Sequence, residues 1–471
     1  METFDFVVIG SGPAGQKAAI EASEAGRTVL VVEQDHSVGG ACVHRGTIPS
    51  KTLRETAMAL LGFRRRTGSV FEVQMPEDLQ VVSLMTRMEQ VIRGHERYMS
   101  SQLSRARITS CHGRAGFLSP SEIEIINVLG ERRIVHGSHI VIATGSRPRS
   151  PKEIPIDHEH ILDSDSILSM IYLPQSLTVL GAGVIASEYA SIFASLGVKV
   201  TMVDRGERPV SFLDAELTQR FLADFERVGG RFIGKARVQR VEWDGISAVQ
   251  TTLEDGTIVS SEKLLCALGR EANLQGLKIE CAGLKPSDRG LLIVNEYCQT
   301  AVPHIYAVGD VIGPPSLASS SMEQGRRAAR HALSLPLGGS KESIPMGIYT
   351  IPEMSSVGLN EQQAVERFGG AIVGRAPFEE LARGQIAAID HGLLKLVADP
   401  SGQKLLGVQI VGEGAAELIH LGQMGLAYGA DIDVFIENIF NFPTLAEAYR
   451  VAALDIARKR ACAPQPAMSL P

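Results

Sequence analysis

Several features that would steer this chain toward a membrane, a secreted disulfide scaffold or a nucleic acid are missing. Cysteine is sparse and scattered: Cys42, Cys111, Cys266, Cys281, Cys298 and Cys462 match no zinc-ligand spacing and no secreted disulfide framework. No segment reaches the ~18 uninterrupted apolar residues that a membrane-spanning helix needs. Met1 is followed within a few residues by an apolar strand, without the basic start and small-residue cleavage site of a secretory leader. A reducing cytoplasm is therefore the expected setting. Excess positive charge is also missing, since the formal net charge is -7. That supplies no overall attraction for nucleic acid or anionic lipid, and the short run Arg64-Arg65-Arg66 reads as a solvated face.

What remains is an ordinary globular composition with an unusual use of glycine. The chain has 471 residues, 44% hydrophobic and 21% charged, enough for about two to four domains with sizeable cores. Several of its 47 glycines fall in patterned turns. Phe4 to Ile9 is an apolar run, Gly10-Ser11-Gly12-Pro13-Ala14-Gly15 follows, and Lys17 to Ala25 has helical spacing. Thr28 to Val32 is a second apolar run, ending at Glu33 with Gln34 beside it. Strand, glycine turn, helix, strand and acid form a dinucleotide-binding unit. The glycines allow a tight turn and close approach of a pyrophosphate to the helix N-terminus, and the acid accepts from a ribose hydroxyl.

The same unit returns later. Ser176 to Leu180 is apolar, Gly181-Ala182-Gly183-Val184-Ile185-Ala186 opens a helix through Ser195, and Val198 to Val203 leads to Asp204. Glu33 and Asp204 each lie 23 positions after the first glycine of their turn. Two copies imply two different dinucleotides in one chain, the alternative being a duplicated scaffold, though both copies retain the glycines and the acid. Asp204 suits the free ribose hydroxyl of NAD and repels the 2′-phosphate of NADP. Arg205 and Arg208 follow and offer compensating charge, the alternative being solvated loop arginines.

Between and after the repeats, Leu79 to Arg107 reads as a helix. His139 to Ile142 reads as a strand running into Ala143-Thr144-Gly145. The second unit closes near Leu264 to Arg270, through Gly269. Thr300 to Asp310 is a strand that ends in Gly309-Asp310 and delivers a carboxylate to a sheet edge; Gln324 to Ala329 belongs to the next helix. From about Ile344 the character changes. Tyr349 to Glu353 and Gly392 to Val397 read as strands of a mixed or antiparallel sheet, Ala415 to Tyr428 and Leu445 to Arg460 as helices, and Ala461 to Pro471 as a frayed tail.

The organising stretch is Gly39-Gly40-Ala41-Cys42-Val43-His44-Arg45-Gly46-Thr47-Ile48-Pro49-Ser50-Lys51, with Pro49 suited to the first turn of a helix. With the two glycine turns, Ala143-Thr144-Gly145 and the Gly309-Asp310 strand end, it resembles the pyridine nucleotide–disulfide oxidoreductases over nearly the whole chain. Four strings resemble the soluble pyridine nucleotide transhydrogenases within that family: Gly46 to Lys51, Asp163 to Met170, Pro315 to Ser319, and Asn441 to Arg450. The resemblance implies an α/β fold with two Rossmann-like dinucleotide-binding domains and an α+β C-terminal interface domain. An FAD-binding domain would comprise 1–150 and 270–342, an NAD(P)-binding domain 151–269, and an interface domain 343–471.

The resemblance also implies the site. FAD would be held by Gly10, Gly12, Pro13, Ala14, Gly15, Glu33, Gln34, Gly39, Gly40, Ala41, Cys42, Lys51, Ala143, Thr144, Gly145, Gly309 and Asp310. A nicotinamide dinucleotide would be held by Gly181, Gly183, Val184, Ile185, Glu188, Asp204, Arg205 and Gly269. Lys51, paired with Glu188, would stand near flavin N5, and Cys42 would lie over the isoalloxazine, either reactive or merely packed. Family members carry a second cysteine where this chain has Thr47, and a His-Pro proton shuttle where it has Phe442-Pro443. A threonine cannot form a disulfide and a phenyl ring cannot transfer a proton, so Glu447 reads as a structural pairing partner. The expected activity is FAD-dependent transfer of hydride from NADPH to NAD in ping-pong order, by a homodimer or higher homo-oligomer, with no metal. The rivals are an NAD(P)H-dependent reductase or oxidase with a quinone or other acceptor, a dihydrolipoamide dehydrogenase-like enzyme, and a non-catalytic flavoprotein.

Overall fold

The computed structural model describes residues 1–67, 81–338, 343–389 and 391–462, with the side chains of 64–67 and 81–82 left aside. The Arg64 to Arg66 side chains, the start of the Leu79 to Arg107 segment and the tail beyond Cys462 thus lie outside the described residues. Three sheets organise the rest. The first has seven strands, with Glu2–Ile9 at its centre between Val29–Glu33 and Arg132–Ile142, parallel to both. Phe6 to Ile9 are buried because helices or strands cover both faces, which suits an unbroken apolar run. Ile305–Ala307 pairs parallel with Arg132–Ile142, so the chain returns to this sheet after building the second.

The second sheet has five parallel strands in the order Arg231–Ile233, Lys199–Val203, Ser176–Leu180, Lys263–Cys266 and Ile161–Asp163. A two-stranded ribbon, Ser146–Pro148 against Arg270–Ala272, carries the chain out and back. The third sheet is antiparallel throughout: Met346–Ile348, Met354–Gly358, Leu405–Val411, Leu393–Ala398 and Ile372–Pro377. Helices Ala415–Ala427 and Glu447–Cys462 cover it. The fold is mixed α/β, as the sequence implies.

One reading is corrected. Tyr349 to Glu353 is not a strand but the connection between Met346–Ile348 and Met354–Gly358. Pro352 has no N–H to give a ladder, so the run is confined to a turn.

Two packing features fix the site. Helix Thr47–Thr67, helix Val184–Ser195 and the third sheet share one core that includes Leu53, Ala57, Tyr189, Phe193, Met354 and Leu393. Each large apolar side chain buried there contributes about 1.5–3 kcal/mol, so the three pieces are locked in position. Helix Ala318–Ala332 meanwhile lies so close to helix Pro13–Glu24 that a Cβ on Gly325 would sit 2.0 Å from the Ala14 carbonyl oxygen. Gly325→Ala is expected to destabilise by about 1–3 kcal/mol through overpacking against backbone. Gly62→Ala, where nothing lies within 4 Å of the added carbon, should be neutral or mildly stabilising. Chemical denaturation of the two variants checks the difference.

Candidate active site

The two glycine turns have nearly the same geometry. Gly10 has φ +104° and Gly181 φ +105°, a region open to glycine but strained for other residues. An added Cβ on Gly10 would lie 2.4 Å from Ala143 O, and one on Gly181 would lie 2.6 Å from Ala267 O. Each turn is thus pressed against the end of the neighbouring parallel strand. Gly12 and Gly183, the second glycines, face open space within 4 Å, where a pyrophosphate has room over the following helix N-terminus. Pro13 takes the first helical position, and Val184 and Ile185 open the second helix.

The acids close these turns. Glu33 Oε2 accepts from the backbone N–H of Ser11 at 2.8 Å and its hydroxyl at 2.6 Å, and Glu33 Oε1 accepts from Asp35 N–H at 2.9 Å. Asp204 Oδ2 accepts from Ala182 N–H at 3.1 Å and Oδ1 from Gly206 N–H at 2.6 Å. Gln34 offers its carbonyl to His112 Nε2 at 3.0 Å. Arg208 does not stand ready as a free counter-charge to Asp204. Its guanidinium donates to the carbonyls of Leu213 and Ser211 and to Thr218 Oγ1, because it closes its own loop. Arg205 is exposed beside Asp204, and Gly269 turns with φ +103°.

Gly39 and Gly40 nest the organising stretch on the first turn. Gly39 N–H donates to Ser11 Oγ at 3.0 Å, and a Cβ on Gly40 would approach Gly12 Cα to 3.1 Å. Gly40–His44, holding Ala41 and Cys42, is a short helix before helix Thr47–Thr67. On the far side, a Cβ on Gly309 would lie 3.3 Å from the Ala14 Cβ, while Asp310 Oδ2 accepts from Ser146 Oγ at 2.7 Å, just beyond Gly145. Thr144 Oγ1 is buried with no hydrogen-bond partner. A buried hydroxyl without a partner next to an open glycine cradle suits a polar ligand, so these residues fit a flavin dinucleotide.

Lys51 and Glu188 meet across the two units. Lys51 Nζ donates to Glu188 Oε2 at 2.6 Å, with the Glu188 side chain 7% exposed and that of Lys51 25%. The second carboxylate oxygen accepts from Tyr349 N–H at 2.9 Å, and the ammonium lies 4.9 Å from the Tyr349 ring centre. The Tyr349 to Glu353 turn, which the sequence pattern suggests as a strand, is therefore part of the site. The proline inside that run was the available signal. Ser11 is a further residue of the site, and its place between the two turn glycines is the signal in the sequence.

Cys42 stands alone as a sulfur. All six cysteines are free. Burial pushes the Cys42 thiol above its ordinary range, a hydrogen bond with the Thr47 side chain and the charge of Lys51 oppose that shift, and Asp310 adds to it. Phe442 is 75% exposed, and Glu447 Oε2 accepts from Thr444 N–H at 3.2 Å, a local capping contact.

The family model described as pyridine nucleotide-disulphide oxidoreductase matches residues 4–325, and the dimerisation domain of the same group matches 344–453. This chain belongs to that family. Among curated relatives of this oxidoreductase, the soluble pyridine nucleotide transhydrogenase of Mycobacterium tuberculosis is 41% identical over 98% of both chains. That of Hahella chejuensis is 39% identical over 96% of this chain and 98% of the relative. Among solved structures, LpdA from Mycobacterium tuberculosis superposes with a TM-score of 0.88 at 26% identity, covering 96% of this chain and 99% of that one. The copper complex of the HOCl-induced flavoprotein disulfide reductase RclA from Escherichia coli gives the same TM-score, identity and coverages. The oxidoreductase has no described helix long and apolar enough to cross a membrane, and no metal-holding cluster of His, Cys, Asp or Glu among its described residues.

With its pKa raised above the ordinary 9.0, the Cys42 thiol stays protonated at neutral pH. Iodoacetamide at pH 7 should modify the exposed Cys281 and Cys462 first and Cys42 slowly, with Cys42 catching up only as pH rises past that range. Peptide mass spectrometry at several pH values reads the order.

Proposed function

We propose that this oxidoreductase moves hydride from NADPH to NAD, both nucleotides using the Gly181 unit in turn while FAD occupies the Gly10 unit. The observation that carries this reading is the lone sulfur. Cys42 has Thr47 as its neighbour where a disulfide would need a second thiol. FAD, when bound, supplies a two-electron carrier that exchanges hydride with a nicotinamide ring. With no dithiol beside it, the open route for electrons is the nicotinamide site by which they entered.

The chain's own residues then have distinct tasks. Gly181 and Gly183 admit the pyrophosphate to the helix N-terminus, and Asp204 receives the ribose hydroxyl of NAD. Arg205, exposed next to Asp204 in the chain, would meet a 2′-phosphate, so NADPH recognition would fall to it, Arg208 being engaged by its own loop. Lys51 holds positive charge where the flavin ring would lie, and Glu188, fixed by Tyr349 N–H, holds the lysine in place. Residues 1–150 with 270–342 would serve FAD and 151–269 the nicotinamide nucleotide. The sheet built from Met346 onward would join two copies of the chain in a homodimer or larger homo-oligomer.

The test is anaerobic. NADPH should bleach the flavin absorbance of the holoenzyme, and NAD added afterwards should restore it with release of NADH. Bleaching by NADPH that NAD cannot reverse would refute the proposal. Lys51→Met should slow both half-reactions by roughly 10²-fold, within the range for loss of one preorganised electrostatic group. Its FAD content should stay at one per chain, and stopped-flow absorbance measures both rates.

A further inference from the structure

Away from the Lys51 pair, a charged cluster sits where the second sheet's layer meets the third. Lys395 lies in strand Leu393–Ala398 with its side chain 3% exposed. Its Nζ donates to the two carboxylate oxygens of Asp214 at 3.0 and 2.9 Å and stands 2.7 Å from Glu361 Oε2 and 3.3 Å from Glu216 Oε2. Arg375, directly across the ladder from Lys395, donates Nε to Glu216 Oε2 at 2.9 Å. Burial works against the ammonium, but Glu361 and Asp214 outweigh it and raise its pKa, so the charge persists at neutral pH.

A buried ion cluster is a weak source of stability, since well-packed apolar groups commonly do as well. Its position is more informative. Asp214 caps helix Ala215–Arg227, accepting from Glu216 N–H at 3.0 Å, and ends the loop that begins at Asp204. That loop grips the second glycine turn from both sides. Asp204 accepts from Ala182 N–H, and Val210 N–H donates to Ala182 O at 2.8 Å. Val210 is buried and β-branched with φ +40°, a conformation that persists only when the surroundings impose it. Arg208 binds the loop's last carbonyls, and Asp214 ties that end to Lys395.

We propose that Lys395 is a positioning residue for the second dinucleotide site. From the third sheet it holds Asp214, and through Asp214 it keeps the strained Arg205 to Leu213 loop seated on the glycine turn that receives the adenosine end of the nucleotide. The inference rests on reading the Gly181 to Asp204 unit as the nicotinamide-nucleotide site. The coupling runs through contiguous covalent and hydrogen-bonded links, each named above.

The probe is ADP-ribose, titrated calorimetrically into FAD-loaded enzyme. Lys395→Met should raise its Kd about tenfold, within the usual range for a coupling residue that touches no ligand. The KM for both nucleotides should rise alongside, with kcat changed less than about twofold, and Lys395→Arg should recover most of the affinity. If Lys395→Met fails to fold, the neutral pair Lys395→Met with Asp214→Asn carries the test, because asparagine preserves the helix cap. Weak ADP-ribose binding by that folded pair supports the proposal. Wild-type affinity in either variant, whatever its Tm, overturns it. Enzyme that binds ADP-ribose but passes no hydride between nucleotides would refute the proposed function and leave the Lys395 comparison decisive; wild-type enzyme that binds no ADP-ribose would overturn both.

Discussion

The contact between Lys51 and Glu188 is the junction on which the rest of the molecule depends. Lys51 rides on the helix that follows the cysteine segment, Glu188 on the helix after the second glycine turn, and the backbone of Tyr349 from the third sheet steadies the carboxylate. A nearly buried carboxylate is costly to hold unless it is both paired and hydrogen-bonded. Here it is both, and the two partners, Lys51 and Tyr349, lie 298 positions apart in the sequence. The shared apolar core around Leu53, Phe193 and Leu393 holds the three contributors at that spacing.

The duplicated glycine turns show how one local solution serves two purposes. In both, the first glycine is pressed against a carbonyl that ends a neighbouring strand, and in both the second glycine faces open space. They differ in how the acid is engaged. Glu33 takes both the N–H and the hydroxyl of Ser11, whereas Asp204, a shorter side chain facing an alanine, takes the Ala182 N–H and that of Gly206. The second turn leans on the loop that follows it, and that loop leans on Lys395. The first leans instead on Gly39 and Gly40. The first cradle is therefore braced by segments packed directly on its turn and helix, the second through a charged side chain from a different sheet.

The departure from the disulfide-bearing pattern is chemically coherent. Thr47 supplies a hydroxyl to Cys42 in place of a sulfur, and burial keeps the remaining thiol protonated. Phe442 offers no titratable group and stands largely exposed. The family resemblance implies a second sulfur at Thr47 and a proton-carrying side chain at Phe442, and this chain has neither.

The amino-acid sequence by itself determined the local units. Glycine spacing, the apolar runs before them and the acid 23 positions on specify strand–turn–helix–strand twice, because those requirements are met within a few tens of residues. It also determined the missing sulfur, since Thr47 is a covalent fact. Only the tertiary structure decided what depends on distant partners. Tyr349 joined the site because a proline-bearing turn, read locally as a strand, docks on a helix from another layer. Arg208, four positions after Asp204 in sequence, turned inward to the carbonyls of its own loop. Lys395 and Asp214 lie 181 positions apart and become neighbours through sheet packing alone. Periodicity and spacing record contacts close along the chain; which buried charge meets which is set by how the layers stack.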